Sequence, residues 1–250
     1  PVNTPIESKL SLDRTDGVCN TDFPYQRLVG SLMYLAILTK PDIAYAVSFL
    51  SQFNNCYTET HWKYAKRVLR YFQKTKNYGL QFVKENAELH GFVDADWAGN
   101  SWDRKSYTGY CFRIGDSAIS WESKKQATVA LSSAEAEYMG LCEAAKEAIY
   151  LRNLFAGITG NEPVCVTLFN DSQSAQKLSL NEGLHKRSKH IDIKHHFIRE
   201  AVENKLVRTE YLQTNDMPAD LLTKGLAPVK HYKFLNELGI ISILSSGGVV

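Results

Sequence analysis

The chain has 250 residues, enough for one large domain or for one ordinary domain and part of a second. Hydrophobic residues make up 44% and charged residues 22% of it, which excludes a wholly disordered chain and a collagen-like repeat. The 29 lysines and arginines nearly balance the 27 acidic residues, so a nucleic-acid partner must be argued from where the charges lie. The longest uncharged apolar run, Leu28 to Leu38, is short of the ~20 residues that span a bilayer. The sequence does not open with a charged region followed by an apolar stretch, so we expect no secretion and no membrane partner.

The cysteines and the first residue bear on the origin of the chain. Five scattered cysteines, without a C-x-x-C pair, favour reduced thiols in an intracellular protein over disulfides or a zinc module. The chain begins at Pro1 without a methionine, so we expect a segment of a longer polypeptide.

The first part of the chain is predicted to be a loop followed by helices. Residues 1–22 are polar and aperiodic. From Gln26 to about Phe53, apolar residues crowd around Pro41, which predicts two short packed helices. A third helix is predicted from His61 to about Lys74, with a basic face opposite its apolar stripe, and a solvated surface is the ordinary interpretation of such a face.

After Gly79 the hydrophobic period changes from helical to alternating. Short strands are predicted at 80–83, 89–94, 107–114 and 118–121, followed by a long helix from Ser132 to about Phe155. A buried strand at 164–169, a helix at 190–204 and a strand at 206–213 come next, and the last elements are helices from about 218 and 229. We expect the tail, 240–250, to be frayed. This order predicts an α/β fold, a mixed sheet with helices on both faces.

Four acidic residues fall at the ends of predicted elements: Asp94, Glu137, Asp171 and Asp220. An acidic residue inside an apolar strand is costly to bury unless it is paired or binds a metal. Converging carboxylates repel one another, and Mg²⁺ is the usual remedy because it prefers hard oxygen ligands. From spacing alone, caps and solvated carboxylates remain the commoner explanation of such residues.

Local patterns decide between neighbouring carboxylates. Ser132 and Glu135 have the spacing of a capping box, which gives Glu135 a structural role and leaves Glu137 free to face a site. Asp94 and Asp96 share one face of their strand, so the pleat does not separate them, and Asp96 is a second-choice ligand.

Several sequence blocks resemble a known family. They are Gly91-Phe-Val-Asp-Ala-Asp-Trp-Ala-Gly99, Asp103-Arg-Lys-Ser-Tyr-Thr-Gly-Tyr110, Ile119-Ser-Trp-Glu-Ser-Lys-Lys-Gln126, Ala130-Leu-Ser-Ser-Ala-Glu-Ala-Glu-Tyr138, Asn170-Asp-Ser-Gln-Ser-Ala175, Ser188-Lys-His-Ile-Asp-Ile-Lys-His-His-Phe-Ile-Arg-Glu200 and Ala219-Asp-Leu-Leu-Thr-Lys224. Their residues and order resemble the C-terminal ribonuclease H domain of copia-type LTR retrotransposon Pol polyproteins. Upstream, Leu28–Tyr34, Thr39–Ala44 and Arg67–Phe72 are similar to the thumb and connection end of the reverse transcriptase of such an element.

The resemblance implies a ribonuclease H-like mixed five-stranded sheet flanked by helices and preceded by a small, mainly helical segment. It divides the chain into a linker (1–22), a thumb and connection remnant (23–87), a ribonuclease H-like domain (88–226) and a C-terminal helix with a frayed tail (227–250). The activity implied is metal-dependent cleavage of the RNA strand of RNA–DNA hybrids. Its four carboxylates fall on Asp94, Glu137, Asp171 and Asp220, which would hold two Mg²⁺ ions, or Mn²⁺ in their place.

The resemblance also concerns what surrounds this site. Many ribonucleases H carry a histidine in the loop before the last carboxylate, whereas residues 213–219 contain none, so no residue is assigned to that role. Beside a hybrid-cutting site, basic residues are expected to contact phosphates without reading sequence. The candidates are Arg104, Lys105, Lys124, Lys125, Lys186, Arg187, Lys189, Lys194 and Arg199. A zinc site built from the histidines of 185–196 is the weaker alternative, because no cysteine lies near them.

The sequence leaves other hypotheses open. The Tyr-Val-Asp-Asp motif of the family's polymerase centre is missing from the sequence, so we expect no polymerisation by this chain, and the palm and fingers of the parent polyprotein would be partners. A silent or domesticated fragment that only binds nucleic acid is the main alternative. An integrase or transposase using Asp94, Asp171 and Glu203 is a weaker one. We expect an intracellular location, cytoplasmic in a virus-like particle or nuclear.

Overall fold

The computed structural model describes residues 2–12, 19, 22–83, 88–99, 102–180 and 189–243, and leaves aside the side chains of 177–180 and 189–195. Its helices are α1 (Tyr25–Leu38), α2 (Ala44–Ser51), α3 (Glu59–Lys74), α4 (Ser133–Thr159), α5 (Gln173–Leu180), α6 (Lys189–Glu203) and α7 (Pro228–Glu237). Its strands are β1 (Tyr78–Leu80), β2 (Leu89–Asp96), β3 (Tyr107–Ile114), β4 (Ser117–Lys125), β5 (Val166–Asn170), β6 (Val207–Tyr211) and β7 (Ile240–Ser242). Short 3-10 helices lie at Pro41–Ile43, Thr214–Asp216 and Pro218–Leu222.

Five strands form one mixed sheet in the order β4-β3-β2-β5-β6. The strands β2, β3 and β4 pair antiparallel, whereas β5 is parallel to β2 and β6 is parallel to β5. Helix α4 connects β4 to β5, and α5 and α6 connect β5 to β6. The predicted ribonuclease H-like mixed five-stranded sheet is therefore confirmed.

Alternating side chains of the sheet enter two different cores. Val93, Phe112 and Leu168 pack in the core that includes α4 and α6. Phe92 and Cys111 lie on the opposite face, in a core shared with the N-terminal helices and α7. The helical segment before the sheet is thus packed against it, and helices cover both faces as expected.

Local signals set the helix bounds. The proline at 41 separates α1 from α2, which confirms two helices there. Helix α3 starts at Glu59 rather than His61, because the Thr58 N–H donates to His61 Nδ1 at 3.0 Å and caps the first turn. Helix α4 runs to Thr159 and ends at Gly160 in the left-handed conformation. Among the described residues, no helix is both long and apolar enough to cross a membrane.

Two predictions are wrong in part: the strand at 80–83 and the frayed tail at 240–250. The expected strand 80–83 is instead β1, at Tyr78–Leu80, and it does not belong to the five-stranded sheet. It pairs antiparallel with β7, so residues 240–242 are ordered rather than frayed. Period and composition did not reveal this pairing because the two strands lie far apart in the sequence. The tail beyond 243 lies outside the described residues.

The expectation of five reduced cysteines is wrong for one pair. Cys19 and Cys56 form a disulfide across 37 residues of sequence, while Cys111, Cys142 and Cys165 are free thiols. The fold brings Cys19, ahead of α1, close to the turn between α2 and α3. This proximity depends on helix packing, which sequence spacing does not encode.

A buried polar network joins α7 to the helical segment. Lys40 Nζ lies 3.1 Å from Asp42 Oδ2, and the Tyr71 hydroxyl donates to the same oxygen at 2.8 Å. His231 Nε2 of α7 lies 2.9 Å from that hydroxyl. All four side chains are buried. Because Tyr71 donates its proton to Asp42, a neutral His231 with a proton on Nε2 completes the chain of hydrogen bonds.

This network predicts a pH-dependent stability. Burial lowers the pKa of His231 to about 4 from an ordinary value near 6.5, an effect that outweighs the attraction of Asp42. Between these values the unfolded chain binds a proton that the folded chain does not, so the free energy of unfolding falls as the pH drops. From pH 7 to pH 5, wild type should lose about 2 kcal/mol more than His231→Gln, which keeps an N–H donor. Urea unfolding at both pH values measures this, and equal losses in the two proteins would contradict it.

Candidate metal centre

Three carboxylates meet at one end of the sheet. Asp94 lies in β2, Glu137 lies in the second turn of α4, and Asp171 directly follows β5. One oxygen of each lies within 4.8 Å of the others. Asp94 and Glu137 are buried, whereas Asp171 is partly exposed, so the cluster opens to solvent on the side of Asp171. Of the four carboxylates predicted to converge, the structure groups these three.

The cap of α4 selects Glu137 over Glu135, as the sequence predicts. The Ser132 hydroxyl accepts from the Glu135 N–H at 3.1 Å, and the Glu135 carboxylate accepts from the Leu131 N–H at 2.9 Å. Glu135 is therefore held at the helix start. Glu137, about half a turn further on, points to the sheet, where the backbone of Ala95 hydrogen-bonds to its carboxylate.

Burial and mutual repulsion control the charge of the cluster. Burial raises the pKa of Asp94 to about 7, against the attraction of Lys224. Burial also raises the pKa of Glu137 well above its usual range, and the negative charges of Asp94 and Asp171 add to this effect. Within the described chain, Glu137 Oε2 is a buried acceptor without a hydrogen-bond donor. A divalent cation would supply the missing positive charge and bind this oxygen, so the residues fit a metal ion.

The fourth predicted carboxylate, Asp220, is fully buried and paired with lysines. Lys224 Nζ lies 2.7 Å from its Oδ1 and 3.3 Å from Asp94 Oδ2. Lys230 Nζ of α7 lies 2.6 Å from Asp220 Oδ2. The Thr223 hydroxyl donates to Asp94 Oδ2. Asp220 thus lies beside Asp94, joined to it through Lys224, and outside the three-carboxylate cluster.

The loop before Asp220 is tied to both the site and α7. The Thr214 hydroxyl donates to Asp171 Oδ2 at 2.7 Å. From α7, Lys230 donates to the Thr214 carbonyl at 3.2 Å and Lys233 to the Asn215 carbonyl at 2.7 Å. Thr214 therefore stands next to the cluster in the loop where the family's histidine is expected.

The chain is similar in sequence to curated proteins of one kind, although it matches no family model. Over 247 residues the chain is 40% identical to the retrovirus-related Pol polyprotein from transposon TNT 1-94 of Nicotiana tabacum, a match that covers 95% of this chain and 18% of that protein. The Pol polyprotein from transposon RE2 of Arabidopsis thaliana is 39% identical over 255 residues, covering 100% of this chain and 17% of that protein.

The chain belongs to the retrovirus-related Pol polyproteins of transposons. It spans less than a fifth of the length of these Pol relatives. Part of this Pol segment is also similar to a short protein, secreted RxLR effector protein 161 of Plasmopara viticola, at 53% identity over 129 residues, 51% of this chain and 91% of that protein. The resemblance to the Pol family is thus confirmed.

Solved structures of similar topology include LC11-RNase H1 in complex with an RNA/DNA hybrid. It is 12% identical, with a TM-score of 0.42, covering 54% of this chain and 94% of that chain. The fold assignment of the Pol segment rests on its own strand order and on the placement of its helices.

The basic residues predicted to contact nucleic acid differ in their surroundings. Arg104 and Lys124 are exposed, and Lys105 is partly exposed. Lys125 is mostly buried, 2.7 Å from Asp103, and donates to Gln52, which follows α2. Its charge is therefore neutralised within the Pol segment.

The remaining basic candidates lie in or near α6. Arg199 is half-buried. Lys189 and Lys194 lie in α6, with side chains outside the description, and Lys186 and Arg187 lie outside the described residues. The nucleic-acid roles of all nine residues stay predictions.

Lys224, Lys230 and Thr214 were missed as parts of the site. Lys224 follows Asp220 by four residues, and this spacing is a signal for an ion pair that the sequence does contain. Lys230 and Thr214 reach the carboxylates only through the packing of α7 and the folding of the loop, for which the sequence offers no local pattern.

Proposed function

We propose that this Pol segment is a ribonuclease H, which hydrolyses the RNA strand of RNA–DNA hybrids with the help of divalent cations. One observation carries the proposal: Asp94, Glu137 and Asp171 meet at the end of a sheet whose strand order is that of the ribonuclease H fold. Family membership supports it, because the Pol polyproteins of retrotransposons are expected to remove template RNA during reverse transcription.

The carboxylates would hold the metal, for which we propose two Mg²⁺ ions, with Mn²⁺ as a substitute. When bound, such ions activate water and stabilise the leaving oxygen of a phosphodiester. Asp94 is central among the protein groups, because it belongs to the cluster and is also joined to Asp220 through Lys224. Thr214 orients the Asp171 carboxylate through its hydroxyl.

The substrate would lie across the exposed side of the cluster. Exposed Arg104 and Lys124 are suited to contact backbone phosphates, which positions a duplex independently of its sequence. Lys125 is assigned a structural role in this proposal because Asp103 and Gln52 occupy its ammonium group.

The experiment is a substrate panel with the purified 250-residue chain. It uses labelled RNA in a hybrid with DNA, in an RNA duplex and as a single strand, together with a labelled DNA strand in the same hybrid. We expect Mg²⁺-dependent cleavage of the RNA in the hybrid, abolished by a chelator, with the other substrates intact. Cleavage that persists in the presence of the chelator, or cleavage of the DNA strand at the same rate as the RNA strand, contradicts the proposal.

A second candidate is a fragment that binds hybrids without cutting them. The observation that favours it is the pairing of Asp220 with two lysines, which leaves three carboxylates in the cluster instead of four. It predicts salt-sensitive hybrid binding with no cleavage at any Mg²⁺ or Mn²⁺ concentration. The same panel, combined with a binding assay, distinguishes the two candidates.

A further inference from the structure

Lys224 differs from every other basic residue described near the site because it contacts two of the predicted metal ligands. Its ammonium lies 2.7 Å from Asp220 Oδ1 and 3.3 Å from Asp94 Oδ2. It therefore stands between a member of the carboxylate cluster and the separate fourth carboxylate. Lys230, the other lysine on Asp220, binds the opposite oxygen, Oδ2, and no ion pair joins it to Asp94 in the described structure.

The surroundings of these two carboxylates make a compensating cation necessary. Asp94 and Asp220 are almost completely buried, so two adjacent negative charges without a cation would be costly. Lys224 supplies the positive charge from two residues after the 3-10 helix Pro218–Leu222, and its side chain is 33% exposed. The ammonium can thus swing towards solvent, whereas the carboxylates cannot.

We propose that Lys224 is a built-in cation, which neutralises Asp94 and Asp220 in the metal-free chain and must withdraw before Asp220 can bind a metal ion. This inference rests on the proposed function, since it concerns the same carboxylates. If Lys224 acts in this way, the two metal sites differ in their affinity for a cation. At the cluster of Asp94, Glu137 and Asp171, a cation competes only with the longer contact of Lys224, 3.3 Å from Asp94, and two further carboxylates attract it. Binding that involves Asp220 competes with the closer contact of Lys224, at 2.7 Å. The first site is tight and the second weak.

The test measures Mn²⁺ binding to the full chain without nucleic acid, by the paramagnetic resonance signal of free Mn²⁺. Wild type should show one tighter and one weaker site. In Lys224→Gln the weaker site should tighten by at least about fivefold, because a competing positive charge has gone. Lys230→Gln is the matched comparison: it also removes a charge from Asp220 but leaves Lys224 between the two carboxylates, so the weaker site should tighten less than in Lys224→Gln. Equal tightening in both variants, or none in Lys224→Gln, overturns the proposal.

Thermal unfolding supplies a second measurement. Without metal, Lys224→Gln should melt below wild type, because Asp94 and Asp220 lose their cation, and Mn²⁺ should raise its melting temperature more than that of wild type. If the variant folds only with Mn²⁺, this supports the proposal, and failure of Mn²⁺ to restore folding overturns it. Neither the Mn²⁺-binding measurement nor the unfolding measurement uses nucleic acid, so both can be interpreted even if the chain does not cleave hybrids. The two proposals can therefore fail separately.

Discussion

Replacement of Asp94 by Asn is expected to slow hybrid cleavage by at least about a hundredfold while raising the stability of the metal-free protein. The activity falls because Asp94 belongs to the carboxylate cluster that would hold the metal ion. Asp94 is also the carboxylate of this cluster that pairs with Lys224. The stability rises because burial holds the pKa of Asp94 near 7, so keeping it ionised at pH 8 costs free energy that a neutral amide does not require. Single-turnover cleavage and thermal unfolding at pH 8, with and without Mg²⁺, measure both effects.

A matched control for this variant is Asp116→Asn. Asp116 is an exposed carboxylate in the turn between β3 and β4, paired with Arg113 and remote from the cluster. It should leave cleavage within twofold of wild type and keep the stabilisation by Mg²⁺, which Asp94→Asn should lose. An Asp94→Asn protein that cuts the hybrid at the wild-type rate would remove Asp94 from the site.

The second large effect is expected from Gly109→Ala, which acts on the assembly of the site. Gly109 pairs with Asp94 across β2 and β3, and the segment that carries Asp220 passes directly over it. A Cβ on Gly109 would stand 2.6 Å from Leu222 Cβ and 3.0 Å from the Leu222 carbonyl carbon, and a backbone group cannot turn away as a side chain can. We expect a loss of about 2 kcal/mol in the free energy of unfolding, and slower cleavage because Asp220 and Lys224 shift from Asp94.

Gly30→Ala provides the comparison. Gly30 lies within α1, and a Cβ there would meet nothing within 4 Å, so alanine should stabilise the protein by about 0.5–1 kcal/mol without changing cleavage. Urea unfolding of wild type and of both variants measures these changes in the free energy of unfolding. Equal stability of Gly109→Ala and wild type would show that the segment 218–223 does not pack on β3 as described.

Much of the fold was predictable because each element carries its own signal. The alternation in β2 and β3, the apolar run of β5 and the serine cap of α4 are local features, and the family resemblance orders them into a sheet. The β1–β7 sheet and the Cys19–Cys56 disulfide were not predictable, because each joins segments brought together only by the packing of the helices.

The candidate site was predictable in its residue types but not in its ion pairs. Capping chemistry separates Glu137 from Glu135, and the cost of burial marks Asp94 as unusual. The state of Asp220 depends on Lys230, which approaches from α7. A sequence pattern identifies a carboxylate, whereas the tertiary fold decides whether a lysine neutralises it.

The central claim is that the cluster of Asp94, Glu137 and Asp171 holds a metal ion at the phosphate that is cleaved. The most direct measurement is single-turnover cleavage of a hybrid whose RNA carries one phosphorothioate, with each sulfur diastereomer assayed separately in Mg²⁺ and in Mn²⁺. We predict that one diastereomer is cut at least about tenfold more slowly than the normal phosphate in Mg²⁺, and that Mn²⁺, a softer ion, restores most of the rate. Equal rates for both diastereomers and the normal phosphate in Mg²⁺ would contradict the account.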